Sequence, residues 1–221
     1  MAAPRANDEI VFSYLALRRA VGIVALGLPF AVSIPVWLFG DHLVETSISG
    51  YYYTGARNLF VGSLCAIGMF RLCCRGYDWK DEVAGIFSAV CALGVAFFPT
   101  APDGYATPRQ TRIGIAHYTF ALLLFLTLAC FCLLLFKKSS GVGMTRKKVQ
   151  RNLVYTISGF AILASLALIV VFKIFIKHTY LVGNIGTVFV FETTSLLAFG
   201  IAWLIKGETF LKDESPAHRG T

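Results

Sequence analysis

Burying a charge in hydrocarbon is costly unless the group is paired, protonated or facing water, so ionisable side chains inside apolar helices are the first places to look for chemistry. Two stand out, His117 and Glu192. At 3.6 residues per turn each lies about one to one and a half turns inside the same, outward end of its apolar block, at similar depth in a bilayer. Arg71 and Lys173 lie nearer block ends, where their stems can snorkel to water, and read as structural. The stretch from Gly40 to Asn58 is the most chemically loaded of the chain, with Asp41, His42, Glu45, the hydroxyls of Ser47 and Ser49, the triplet Tyr51-Tyr52-Tyr53, and Arg57. Glycines at 50 and 55 let its backbone bend. Folded over the helices that carry His117 and Glu192, this loop would close a polar pocket opening outward. Glu192 and His117 would form its floor, Arg57 would select an anionic group, and Tyr51, Tyr52, Tyr53 and Asn58 would complete the wall.

A second chemistry uses the same neighbourhood. A hydrolytic zinc site needs three N/O ligands and an open position, which His42, His117, Asp41, Glu45 and Glu192 could supply by type. No His-x-x-x-His or comparable metal spacing occurs, so the first reading is of a site without a cofactor, with zinc as the alternative. A haem would need axial histidines within spans, usually paired, and His117 alone qualifies. The tyrosine triplet also suits an interfacial anchor, and Glu192 could simply pair with Arg57 or Lys177 to hold the bundle together.

The elements that must position these residues follow from composition. Hydrophobic residues make up 57% of the 221 positions and charged ones 14%, against about 25% charged in soluble domains. The apolar residues fall in six blocks, 20–39, 57–74, 82–99, 113–136, 153–176 and 186–205, each near the roughly 20 residues that cross a bilayer core. The expected fold is therefore all-α, a six-helix transmembrane domain over 20–205 with an N-terminal segment 1–19 and a C-terminal tail 206–221. The first block is too long for a cleavable leader and reads as a retained helix. Pro29 and Pro35 interrupt it as ordinary membrane-helix prolines. In the third block Ala84, Ser88, Ala92 and Ala96 recur every fourth position, a small-residue face that predicts a central helix.

The net charge of +8 raises the question of a nucleic-acid partner. With both termini placed in the cytoplasm, only Arg57, Arg109, Arg112, Lys173 and Lys177 fall outside, and the other fifteen of the 20 basic residues fall inside. That is the positive-inside bias. The basic loop 137–151 then lies against anionic lipid, and lacking interleaved aromatics it argues against nucleic acid. Trp37, Trp79 and Trp203 fall where an interfacial belt would put them. The six cysteines lie within or at the edges of spans and read as packing residues, not as disulfides.

The run Ser47-Ile48-Ser49-Gly50-Tyr51-Tyr52-Tyr53-Thr54-Gly55-Ala56-Arg57-Asn58-Leu59-Phe60-Val61-Gly62 resembles a family of small bacterial integral membrane proteins catalogued only as a domain of unknown function. Arg75-Gly76-Tyr77-Asp78, Ala96-Phe97-Phe98-Pro99-Thr100, His117, Arg151-Asn152, Glu192 and the segment Phe199 to Gly207 extend the likeness over nearly the whole chain. Asn58 stands where that pattern commonly has aspartate. The resemblance implies a six-helix protein of the bacterial inner membrane, without an assigned activity. More distantly, such bundles look like ceramidase-type membrane hydrolases, whose zinc sits among histidines and an aspartate, although their paired-histidine helix is missing here. The expectation is a membrane protein that binds or passes a small or lipid-like ligand, with nothing in the residues compelling catalysis. A metal-dependent membrane hydrolase and a lipid-interacting scaffold are the alternatives.

Overall fold

The computed structural model describes residues 6–40, 44–74, 78–102, 104–138, 145–176, 180–182 and 185–211. Each of the six apolar blocks falls on one helix: α1 (Ala6–Phe39), α2 (Arg57–Cys73), α3 (Trp79–Phe97), α4 (Pro108–Cys130), α5 (Arg146–Val171) and α6 (Thr187–Lys206). A turn of π-helix extends α4 over Phe131–Leu135 and another extends α5 over Phe172–Ile176. A 3₁₀ helix, Ile48–Tyr53, precedes α2, and a short antiparallel hairpin, β1 (Tyr180–Val182) with β2 (Ile185–Gly186), leads into α6. Each helix packs on its neighbours in sequence, and α6 closes the ring against α1.

Local chemistry sets the boundaries. Thr107 and Gln110 form a reciprocal capping box in front of Pro108, which fills the first helical position of α4, where a missing N–H costs nothing. Asp78 and Thr145 cap α3 and α5. Lys138 Nζ reaches both Asp78 and Asp81, at 2.9 and 2.6 Å, tying the end of α4 to the start of α3. Its hydrogen bonds hold the Asp78 carboxyl below the usual carboxylate value. At the same end Arg19 donates to the carbonyl of Gly207 at 3.0 Å, satisfying the C-terminus of α6. α1 runs unbroken through Pro29 and Pro35, and the Ser33 hydroxyl donates to the Pro29 carbonyl at 2.7 Å.

Among the described residues, four segments are long and apolar enough to cross a membrane: Tyr14–Phe39, Pro108–Leu135, Arg146–Phe175 and Thr187–Lys206. α2 and α3 are shorter, at 17 and 19 residues, and α3 carries Lys80, Asp81 and Glu82 in its first turn. Three local expectations are corrected. α3 is not central: Ser88, Ala92 and Ala96 are buried against α2 and α4, while Val83, Ile86, Phe87 and Val90 face outward. Small residues allow close approach on one face, but they do not remove a bulky apolar face opposite. Arg71 does not snorkel. It is 5% exposed, its guanidinium 4.4 Å from the Phe131 ring and 4.6 Å from that of Trp203, with Nε donating to Ser88 Oγ at 3.3 Å. Trp203 accordingly belongs to the core at 2% exposure, whereas Trp37 and Trp79 are exposed as a belt requires. The six cysteines are free thiols.

Candidate functional site

The loop that carries the hydroxyls and tyrosines is docked on α6 by two hydrogen bonds that involve its backbone. The Phe189 amide, in the first turn of α6, donates to the Thr46 carbonyl at 2.9 Å. This approach is so close that a Cβ on Gly186 would lie 2.3 Å from Thr46 Cα, so glycine is required there. Two residues on, the Ile48 amide donates to Glu192 Oε2 at 2.7 Å. Ser47 then caps the 3₁₀ helix, its hydroxyl accepting from the Gly50 amide at 3.0 Å. The acid in the apolar block therefore acts as an N-terminal cap supplied from another helix, holding the loop over α6.

On the other side the loop meets α4. His117 is 1% exposed, and its Nδ1 lies 2.6 Å from the Phe98 carbonyl oxygen while Nε2 lies 2.9 Å from Ser49 Oγ. A carbonyl can only accept, so Nδ1 carries the ring proton and Nε2 accepts from the Ser49 hydroxyl. Tyr53 Oη donates to the Thr100 carbonyl at 2.6 Å, and Thr100 Oγ1 donates to Tyr118 Oη at 2.8 Å. Burial pushes the Tyr51 and Tyr53 phenols above their usual value of 10, which keeps both as neutral hydrogen-bonding groups.

Loop, α4, α5 and α6 together enclose a cavity of about 910 Å³, within the size range of small-molecule sites. Its two ends differ in chemistry. At the loop end the wall is polar, with Glu45, Ser49, His117, Lys173, Thr187 and Glu192. Lys173, on the π turn that ends α5, holds its ammonium 4.7 Å from the Tyr118 ring centroid. Thr187 is 1% exposed and its hydroxyl has no hydrogen-bond partner among the described residues, an arrangement that buried polar groups normally avoid. Further along, Ala121, Leu122 and Phe125 of α4 face Leu166, Ile169 and Val170 of α5. From His117 to Phe125 this apolar part extends about 12 Å at 1.5 Å per residue.

Of the residues expected to form a pocket, the structure brings together Glu192, His117, Tyr53 and Glu45. Tyr51 is fully buried beneath the loop, with its ring against Phe189 and its hydroxyl accepting from the Glu45 amide at 3.3 Å, so it supports the site without lining it. Tyr52 and Arg57 pair with each other, cation over ring, and Arg57 and Asn58 are exposed on α2 away from the cavity wall. Glu192 meets the Ile48 backbone amide rather than Arg57; Asp41, His42 and Lys177 lie outside the described residues. Among the described residues no three His, Cys, Asp or Glu side chains gather as metal ligands. Lys173, read from the sequence as a snorkelling structural residue, borders the cavity instead, and Thr187 and Tyr118 are not distinguished by the sequence. Ser49 alone left a signal, a hydroxyl directly before the tyrosine-rich run. The chain was also compared with known proteins: no protein-family model, no curated protein and no solved structure matches it.

Proposed function

We infer that the chain is a six-span membrane protein, both termini cytoplasmic, that binds a lipid-like amphiphile in the cavity between α4, α5 and α6. The observation that carries this reading is the division of the wall. Lys173, Thr187 and Glu192 gather where a headgroup would sit, and an apolar slot continues between α4 and α5 where a chain would lie. An amphiphile satisfies both ends at once, and the unpartnered Thr187 hydroxyl gains a partner from its headgroup. A purely aqueous solute would leave the slot unfilled.

Six spans are supported by the outer surfaces of the two shorter helices. Leu59, Met69 and Leu72 on α2 and Val83, Ile86, Phe87 and Val90 on α3 are all exposed. Such apolar area in water would be a liability, and in lipid it is at home. The orientation rests on the distribution of basic residues. With this topology, a cysteine introduced at Tyr105 reacts with a membrane-impermeant maleimide in intact cells and one introduced at Arg146 does not; the opposite pattern overturns it.

Binding is tested by extracting lipid from the detergent-purified chain and quantifying it by mass spectrometry. The wild type is expected to retain about one amphiphile per chain. Ala121→Trp, which fills the slot, is expected to lose it while remaining folded. Equal retention by both proteins contradicts the reading.

A further inference from the structure

We propose that Ser49 and His117 form a nucleophile–base pair that cleaves a carboxylic ester of the amphiphile bound in this cavity, by way of an acyl-Ser49 intermediate. The inference rests on the cavity being an amphiphile site, and adds to it a reaction at its polar end.

Nucleophilic catalysis by serine needs a hydroxyl in hydrogen-bond contact with a base, and a third group that orients the base. All three are present. Ser49 Oγ is 2.9 Å from His117 Nε2, and the Phe98 carbonyl 2.6 Å from Nδ1 fixes the tautomer that leaves Nε2 free to take a proton. A backbone carbonyl thus fills the orienting role that a carboxylate fills in a Ser-His-Asp triad. Both residues border the cavity, so a bound ester can reach the hydroxyl. Simple attachment of the loop to α4 would be served by any donor–acceptor pair. It would not require the hydroxyl to face a chamber with an apolar slot. Ser49 is also held in place, because it sits in the 3₁₀ helix between Ile48, whose amide is bonded to Glu192, and Gly50, whose amide is capped by Ser47. Glu192 is therefore a positioning residue here.

In the first half-reaction Ser49 Oγ bonds to the ester carbonyl carbon and its proton passes to His117 Nε2. The bond from that carbon to the alcohol oxygen breaks, and Nε2 returns the proton to the departing oxygen. In the second, water attacks the acyl carbon, gives a proton to Nε2, and Ser49 Oγ leaves and takes that proton back. Ester and water become acid and alcohol, with no change of oxidation state. Thr187 Oγ1 and Lys173 are donors on the same wall for the oxygen that becomes negative.

The test treats the full-length purified chain with an alkyl fluorophosphonate and locates the adduct by peptide mass spectrometry, with lipid retention measured on the same samples. The expected result is a stoichiometric adduct on Ser49 and none in Ser49→Ala. In His117→Gln labelling should slow by about 100-fold or more, the usual loss with a general base. Where a variant melts early, the wild type decides alone, by whether the adduct falls on Ser49 rather than on other serines. A wild type that keeps its lipid but is not labelled at Ser49 overturns the nucleophile and leaves the binding site standing. A wild type that retains no lipid and is not labelled by the alkyl probe overturns both.

Discussion

Glu192 illustrates how a single residue in an apolar helix can be found from sequence while its role cannot. Its position marked it as costly, and cost implies a compensating partner. The partner proves to be the amide end of a 3₁₀ helix, a backbone feature with no side-chain signature, rather than a cation. Truncation should therefore cost more than neutralisation. Glu192→Ala leaves the Ile48 amide without its acceptor, and thermal unfolding of the purified chain should show a loss of about 1–3 kcal/mol. Glu192→Gln keeps an acceptor oxygen and should fall well below that figure. Equal losses in the two variants would mean that the charge matters and the cap does not. His117 was legible for the same reason as Glu192. Ser49 was not, because one hydroxyl among many in a polar loop carries no energetic flag until its neighbour is known.

The apolar core of each helix was readable, but not every end: α1 begins at Ala6, within the expected N-terminal segment, and α4 and α5 begin at Pro108 and Arg146, several residues before their apolar runs. The contacts between elements were less readable. The small-residue face of α3 correctly marks close packing, but whether a helix lies inside or at the rim depends on its opposite face, and that of α3 is bulky and apolar. Arg71 and Trp203 are near span ends in sequence and yet share a buried aromatic pocket, where the faces of Phe131 and Trp203 offset the cost of the guanidinium. Docking of the loop depends on Gly186, whose missing side chain admits the Thr46 backbone. Gly186→Ala forces backbone against Cβ, where nothing flexible can yield, and should destabilise by about 1–3 kcal/mol, the usual range for overpacking. Hydrogen exchange should show residues 46–53 losing protection first. A neutral substitution would mean that the loop is held elsewhere.

For the whole molecule, the scarcity of charge makes the placement of the few charged groups informative. Most basic residues gather at one end of the bundle, where Arg18, Arg19 and Lys138 close helix termini or pair with acids. The opposite end keeps few charges, and three of these, Glu45, Lys173 and Glu192, border one chamber that continues between α4 and α5. A ring of six helices would otherwise close on a dry core. Here one seam stays open, and the two groups of residues facing it are compatible with the two ends of an amphiphile. The most direct measurement is photocrosslinking with an amphiphile bearing a diazirine in its acyl chain, followed by mapping of the adducts. Adducts that saturate at one per chain and fall on Leu122, Phe125, Leu166 and Ile169 are expected. Adducts confined to the outward residues Phe30, Leu153 and Phe160, growing without saturation as lipid is added, would contradict the cavity as the binding site.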